Sequence, residues 1–201
     1  ALDELLEQEP AMRRLGRVKS PGDLQKMSVL PTHRCNLSCS YCYSSAGRGG
    51  QMLSREKLKA ALDYFIDPQR LQDRCLDISF IGGGEPLLAW EIVRFGIEYA
   101  SALAGKGGFN LAMTLVTNGT IMNDEIAGVL REYGVLPDIS FDILEAVHEK
   151  HRGKYREVCR TLDMLARSGL KPSVNATVTP ESVRMQERMV EEIIRRHPAV
   201  D

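Results

Sequence analysis

The sequence predicts an α/β fold built on a parallel β-sheet. From residue 27 to the C-terminus, short apolar segments typical of strands alternate with longer segments in which apolar residues recur with the period of a helix. Glycine or proline separates many of these segments and marks the turns between them. Five strand–helix units in succession imply right-handed crossovers, and therefore either an α/β barrel or an open, doubly wound sheet.

The predicted strands and the first three helices follow one another in a regular order. Ser54 is the expected N-cap of the first helix, and Ile97 lies on the apolar stripe of the second. The third helix is expected to start near Asn123 and to stop at Gly134. The strands are expected at residues 27–32, 76–81, 111–117, 138–142 and 172–178.

The last two helices complete the pattern. The fourth carries an apolar stripe that begins at Tyr155 and is closed by Gly169. Thr179 is expected to cap the fifth helix, with Ile193 and Ile194 facing inward. Because ligands of parallel α/β folds collect at the C-terminal ends of the strands, the unusual residues that follow the strands are expected to share one site.

The composition is that of an ordinary globular protein. The chain has 201 residues, of which 43% are hydrophobic and 26% charged, with a formal net charge of −1. These values favour one domain and give no indication of a nucleic-acid partner. No apolar run is long enough to span a bilayer, and residues 1–10 are too acidic for a secretory signal, so we expect a cytoplasmic protein without a membrane partner.

The sharpest motif is a group of three cysteines in the loop after the first predicted strand. Cys35, Cys39 and Cys42 are spaced C-x3-C-x2-C, which is typical of a metal site rather than a disulfide framework. A [4Fe-4S] cluster is usually held by four thiolates, so three leave one iron open to another ligand. The spacing therefore indicates a cluster that takes part in chemistry.

Two other interpretations of the cysteines stay open at this point. The first is a structural zinc site in which His33 completes a Cys3His set, although such ligands usually come as two separated pairs. The second is an electron-transfer protein whose cluster has no further ligand. The metal that the protein contains would distinguish a zinc site from an iron–sulfur cluster. A ligand-binding role for Glu85, which follows the second predicted strand, would distinguish an enzyme from an electron carrier.

A second motif, Gly82-Gly83-Gly84-Glu85-Pro86, follows the second predicted strand. Glycines allow the backbone to approach a ligand closely, and an ionised glutamate can accept a charge-assisted hydrogen bond from an amine. By itself such a glycine run is usually a turn. Directly after a strand, and downstream of the cysteine motif, it indicates part of a ligand site.

Together these residues resemble the radical SAM superfamily. Cys35, Cys39 and Cys42 with Tyr41 match its C-x3-C-x-aromatic-C motif, and the glycine run with Glu85 is similar to its GGE motif. The resemblance implies a partial (β/α)6 TIM-like barrel, a [4Fe-4S] cluster and S-adenosylmethionine (SAM). It also implies the reaction, in which reductive cleavage of SAM gives a 5′-deoxyadenosyl radical that abstracts hydrogen from a substrate.

The resemblance also assigns residues to the two cofactors. The cysteines are the expected cluster ligands, and the GGE motif is expected to bind the amino group of SAM. Segments that end the third, fourth and fifth strands are expected to line the rest of the pocket. The residues expected to contact SAM are Tyr41, Gly83, Gly84, Glu85, Thr117, Asn118, Ser140, Asp142 and Asn175.

Residues 139–153 resemble the SPASM-type maturases, which include sulfatase-maturating and peptide-modifying enzymes. The usual pattern there is serine, an apolar residue and Asp-Gly-Pro, whereas here Asp142 is followed by Ile143 and Leu144. The resemblance implies a peptide or protein substrate and an electron donor such as flavodoxin or ferredoxin. His148 and His151 are expected on the solvated surface.

The resemblance extends over residues 27–201, which we interpret as a radical SAM core domain that stops near the start of a sixth strand. Residues 1–26 are expected to form an N-terminal lead-in segment. A core of this type has six β/α units. We therefore expect a fragment, with much of the substrate site outside it.

Overall fold

The predicted parallel sheet is confirmed. The computed structural model describes residues 24–200 except residues 48 and 72, so residues 1–23 of the expected lead-in lie outside the described residues. The strands are β1 (Lys26–Val29), β2 (Cys75–Phe80), β3 (Asn110–Thr117), β4 (Val135–Ser140) and β5 (Ser173–Asn175). All of their pairings are parallel, and the strands lie side by side in sequence order.

Helices connect the strands as the alternating pattern predicts. They are α1 (Arg55–Phe65), α2 (Trp90–Gly107), α3 (Asp124–Glu132), α4 (Glu145–His151), α5 (Tyr155–Arg167) and α6 (Gln186–Arg196). Two predicted N-caps are confirmed, because the Ser54 side chain accepts from the Lys57 amide and Asn123 Oδ1 accepts from the Ile126 amide. Within the described part of the chain, no helix combines the length and apolar character of a membrane span.

The two faces of the sheet have opposite character. Alternate strand residues are buried beneath the helices, whereas the residues between them, such as Ser79, Thr114 and Asp138, are only partly buried. Among the described residues, helices cover one face only, whereas an open, doubly wound sheet is covered on both; coverage of one face is the arrangement of a barrel wall. The buried layer includes Ile78, Phe80, Leu115 and Ile139 from the strands and Leu58, Leu62, Val93, Ile97, Leu130, Val158 and Leu165 from the helices.

Three predictions about the last unit are wrong in detail. Helix α6 begins at Gln186, so Thr179 does not cap it; the Thr179 hydroxyl accepts from the Ser182 amide at 3.2 Å in the turn before the helix. Strand β5 ends at Asn175 rather than at residue 178, because the Thr177 amide donates to the Asp142 carboxylate instead of to a neighbouring strand. The Ile194 side chain is 66% exposed, whereas Ile193 packs against the core. Neighbouring residues of a helix point about 100° apart, and in α6 it is Ile193 that faces the core.

The prediction that His148 lies on the surface is also wrong. Residues 145–151 form helix α4, which the sequence analysis did not predict, and His148 on this helix is fully buried. Its Nδ1 accepts a hydrogen bond from the Asp142 amide at 3.2 Å, and its ring packs against Phe141 and Tyr155. The apolar neighbours and the backbone hydrogen bond at Nδ1 stabilise the buried imidazole, whereas its Nε2 has no hydrogen-bond partner among the described residues.

We expect the protein to lose stability in mild acid because of its buried histidines. Burial lowers the pKa of both His148 and His197. As the pH falls below about 6.5, the ordinary pKa of histidine, the unfolded chain takes up protons before the folded chain does, so the free energy of unfolding decreases. The midpoint of thermal unfolding should therefore be lower at about pH 5.5 than at about pH 7.5.

The variant His148→Phe tests this explanation. It should be less stable at every pH because the Asp142 amide loses its acceptor, but its midpoint should fall less steeply with acid than that of the wild type. An equally steep fall in the variant would show that His148 does not contribute.

Candidate functional site

A cavity of about 400 Å³ opens where the C-terminal ends of the strands meet. Its volume lies within the range of small-molecule sites, about 300–1,000 Å³. Ten of the twelve predicted site residues line it; Asp142 and Asn175 do not. Those ten are Cys35, Cys39, Tyr41, Cys42, Gly83, Gly84, Glu85, Thr117, Asn118 and Ser140, and the remaining lining residues are Leu37, Tyr43, Ser44, Ile81, Gly82, Val116, Arg152 and Thr177.

The three cysteines lie in a long loop between β1 and α1. All three are reduced and partly buried, and all three face the same cavity. Among the described residues, no group of three or more histidine, cysteine or acidic side chains is arranged around a single ion. The three thiols therefore line a common cavity and are not arranged as the ligands of one metal ion.

The cysteine loop rests directly on the glycine loop that follows β2. The Glu85 amide donates to the Arg34 carbonyl at 2.7 Å, and the Tyr43 hydroxyl donates to the Gly82 carbonyl at 3.0 Å. The Ser44 hydroxyl also donates to the Gly83 carbonyl. These bonds supply partners to loop backbone that no strand or helix satisfies.

Gly84 makes this contact possible. A Cβ atom at this position would collide with the carbonyl group of Arg34, which belongs to the cysteine loop. Only glycine leaves the space that two backbones need at such a close approach. The third glycine of the motif therefore has a defined physical role, which is to allow the two loops to touch.

The Glu85 carboxylate is buried at the wall of the cavity, 2% exposed, and is held by three hydrogen bonds. Oε1 accepts from the Leu87 amide at 3.1 Å and from the Thr117 hydroxyl at 2.6 Å, and Oε2 accepts from the Asn118 amide at 2.7 Å. Because Thr117 is the last residue of β3 and Asn118 follows it, this one side chain joins the loop after β2 to the C-terminal end of β3.

The charge of Glu85 is not neutralised by a basic group. Burial raises the pKa of its carboxyl group against the lowering effect of the three hydrogen bonds, and no lysine, arginine or histidine in the described ranges contributes to that pKa. A buried carboxylate without a cation is costly, so the site favours a ligand that brings a positive charge to it.

Asp142 is buried behind the cavity wall rather than in it. Its carboxylate accepts from the Tyr41 hydroxyl and from the Thr177 amide, and it lies 3.3 Å from Nε of Arg152. Arg152 lines the cavity in its place, with its side chain 12% exposed. Sequence reasoning missed Arg152, although its position in the segment that resembles the maturases was a usable signal.

The residue after Asp142 adopts a backbone conformation that favours glycine, the residue usual at this position of the Asp-Gly-Pro pattern. Ile143 occupies the position of the usual glycine and has φ = 67°, in the left-handed region that favours glycine. For a β-branched residue this conformation costs about 1–3 kcal/mol. Packing of Ile143 against two apolar clusters accompanies the strained turn.

Three further predicted residues use their side chains for contacts within the protein. The Thr117 hydroxyl is committed to Glu85, and the Asn118 amide group donates to Asn36 of the cysteine loop at 2.8 Å. Asn175 donates to Asp138 at 2.6 Å on the polar face of the sheet, where it is exposed. Contact of these residues with SAM stays a prediction.

A family model described as the radical SAM superfamily matches residues 29–193 of this sequence. The chain belongs to the radical SAM superfamily. Membership implies a [4Fe-4S] cluster and SAM as its cofactors. The residues at hand fit both groups: three thiols around one cavity, and beside them a buried carboxylate that lacks a cation.

Named relatives within the radical SAM superfamily include two kinds of enzyme. The chain is 31% identical over 181 residues to the probable GTP 3′,8-cyclase of Methanopyrus kandleri, covering 85% of this chain and 53% of the relative. It is 32% identical over 126 residues to the serine-type anaerobic sulfatase-maturating enzyme of Klebsiella aerogenes, covering 59% of this chain and 29% of the relative. The chain thus spans about half or less of the length of these relatives.

Solved structures share the fold. Native anSMEcpe with bound AdoMet and the Cp18Cys peptide superposes with a TM-score of 0.75 at 22% identity, covering 86% of this chain and 48% of that one. Streptococcus suis SuiB bound to S-adenosylmethionine superposes with a TM-score of 0.70 at 18% identity, covering 90% of this chain and 40% of that one. These likenesses support the predicted partial barrel.

Replacing Gly84 by alanine should separate the two loops of this radical SAM site. Because the added methyl group meets the Arg34 carbonyl, we expect a loss of about 1–3 kcal/mol in the free energy of unfolding, the usual cost of overpacking. Denaturant unfolding measures this loss. Gly128→Ala in α3 is the control, since nothing lies within 4 Å of its Cβ position and alanine favours a helix. Equal stability of both variants would contradict the role of Gly84.

Proposed function

We propose that Cys35, Cys39 and Cys42 bind a [4Fe-4S] cluster, that SAM occupies the cavity beside them, and that the pair starts a radical reaction on a substrate. One observation carries the proposal: Glu85, a buried carboxylate with no cationic partner among the described residues, lines the same cavity as three thiols. An electron carrier needs no such carboxylate beside its cluster. When bound, the cluster and SAM supply the 5′-deoxyadenosyl radical that abstracts hydrogen from the substrate.

The protein's own residues bind and orient the cofactor in this scheme. Glu85 accepts a charge-assisted hydrogen bond from the amino group of SAM and thereby gains the cation that it lacks. The buried guanidinium of Arg152 offers donors that suit the carboxylate of SAM. Leu37, Ile81 and Val116 add apolar wall, which excludes water from the reacting groups.

We further propose a peptide or protein as the substrate. The sulfatase-maturating relative, the fold neighbour solved with a peptide, and the maturase-like segment at residues 139–153 all support this substrate class. The cyclase relative is matched over a larger share of this chain and favours a second candidate, guanosine triphosphate. A small electron-transfer protein such as flavodoxin or ferredoxin is the proposed donor, and the cytoplasm the proposed compartment.

Anaerobic reconstitution with iron and sulfide, followed by SAM and dithionite, tests the function directly. Formation of 5′-deoxyadenosine supports the proposal, and its stimulation by a serine- or cysteine-containing peptide, or by guanosine triphosphate, identifies the substrate class. One tightly bound zinc without sulfide would instead support the structural alternative. A stable cluster that neither binds nor cleaves SAM would support an electron carrier.

Cys39→Ala should abolish cluster assembly. Loss of one thiolate leaves two ligands for a cluster that needs at least three from this loop. The measurement is iron and sulfide content after anaerobic reconstitution, about four irons per wild-type chain and close to none in the variant. Cys75→Ala is the matched control, because Cys75 is exposed and does not line the cavity. Full iron content in Cys39→Ala would exclude the proposed ligation.

Glu85→Gln should weaken SAM binding by about 1–3 kcal/mol, the range for a hydrogen bond to a charged group, while the cluster still assembles. Calorimetric titration of the reconstituted protein measures this, with exposed Glu91→Gln as the control. Since burial raises the pKa of Glu85, wild-type affinity should also decrease as the pH is lowered, starting at a higher pH than an ordinary carboxyl group would give, and the variant should lack this decrease. Equal SAM affinity in variant and wild type would remove Glu85 from the site.

A further inference from the structure

The turn between the second and third cysteines contacts helix α4. Residues 39–42 form a four-residue turn in which the Cys42 amide donates to the Cys39 carbonyl at 3.1 Å. Both ends of this turn are cysteines, and its two central residues are Ser40 and Tyr41. Any contact that holds the central residues therefore also sets the direction in which the two thiols point.

His151 holds Ser40 through both its backbone and its side chain. The Ser40 amide donates to the His151 carbonyl at 2.9 Å, and Ser40 Oγ lies 2.7 Å from His151 Nδ1. The imidazole also lies against the Tyr41 ring, with 5.5 Å between ring centroids. One residue at the end of α4 thus touches both central residues of the turn.

The far side of the imidazole lies near a carboxylate but is not hydrogen-bonded to it. Nε2 of His151 is 3.8 Å from Oε2 of Glu181 and has no hydrogen-bond partner among the described residues, while Oε2 of Glu181 accepts from Nζ of Lys150. The defined polar contact of the ring is therefore the one between Nδ1 and the Ser40 hydroxyl, in a side chain that is 16% exposed.

We propose that His151 is a positioning residue for the iron–sulfur site, acting through Ser40 on the thiols of Cys39 and Cys42. The inference rests on the proposed function, since it needs the cysteines to be cluster ligands. Tyr41 reinforces the same turn through Asp142, which is held by Arg152. When the side-chain contact between Ser40 and His151 is lost, the turn keeps its internal hydrogen bond and its backbone bond to the His151 carbonyl, but it is held by one contact fewer. The thiols of Cys39 and Cys42 are then positioned less firmly.

The test uses reconstituted variants of the whole chain. In Ser40→Ala and His151→Ala, we expect iron release to a chelator, measured anaerobically, to be about tenfold faster than in the wild type, the effect of one lost hydrogen bond. The electron paramagnetic resonance spectrum of the reduced cluster should change in the same way in both variants. The double variant should be no worse than either single variant, because one contact joins the two residues.

Two further variants distinguish positioning from general damage. His151→Asn places a side-chain oxygen near the position of Nδ1 and should restore slow iron release and the wild-type spectrum. Ser38→Ala removes another exposed serine of the same loop, one for which no hydrogen bond is found in the described structure, and should leave both readouts unchanged. Thermal unfolding of the apo forms checks that each variant is folded.

The outcomes separate this inference from the proposed function. Failure of the wild-type chain to bind iron and sulfide overturns both. A normal wild-type cluster, together with unchanged release and spectra in Ser40→Ala and His151→Ala, overturns the positioning role alone. Additive effects in the double variant, or no rescue by His151→Asn, overturn it as well.

Discussion

The buried Glu85 carboxylate is the interaction on which the rest of the site depends. It accepts hydrogen bonds from the turn that follows it, from the last residue of β3 and from the residue after that strand, and its own amide donates to the cysteine loop. Three loops from separate β/α units therefore meet at one side chain. The charge that joins them is not balanced by a basic group in the described structure, so the same interaction that assembles the cavity also selects a cationic ligand.

The division of the sheet into an apolar and a polar face explains why the cavity exists. Helices cover one face with large buried side chains, while the other carries partly buried polar residues such as Ser79, Thr114 and Asp138. Most of the apolar packing of the described residues therefore lies between the helices and the apolar face of the sheet, and the polar face is available for ligands. The polar groups of the loops at the C-terminal ends of the strands form hydrogen bonds with one another.

Strain and burial are concentrated where the maturase-like segment meets the cysteine turn. Ile143 holds a left-handed conformation, His148 is fully buried, and Asp142 is used to hold Tyr41. Local strain of this kind persists only when surrounding contacts require the conformation. The segment therefore acts as a support for the cysteine loop, which has little regular structure of its own.

The sequence by itself determined the local features. The cysteine spacing, the glycine run after β2, and the helix caps at Ser54 and Asn123 are all local patterns. The alternation of strands and helices predicted parallel strands but left a barrel and a doubly wound sheet open, and the sequential strand order is a property of the tertiary structure. Tertiary structure alone decided which polar groups meet. Tyr41 and Asp142 are 101 positions apart and Ser40 and His151 are 111 apart, so their contacts depend on how helices dock on the sheet. Periodicity carries no information about such distances, which is why His148 was misplaced and why Arg152 was missed.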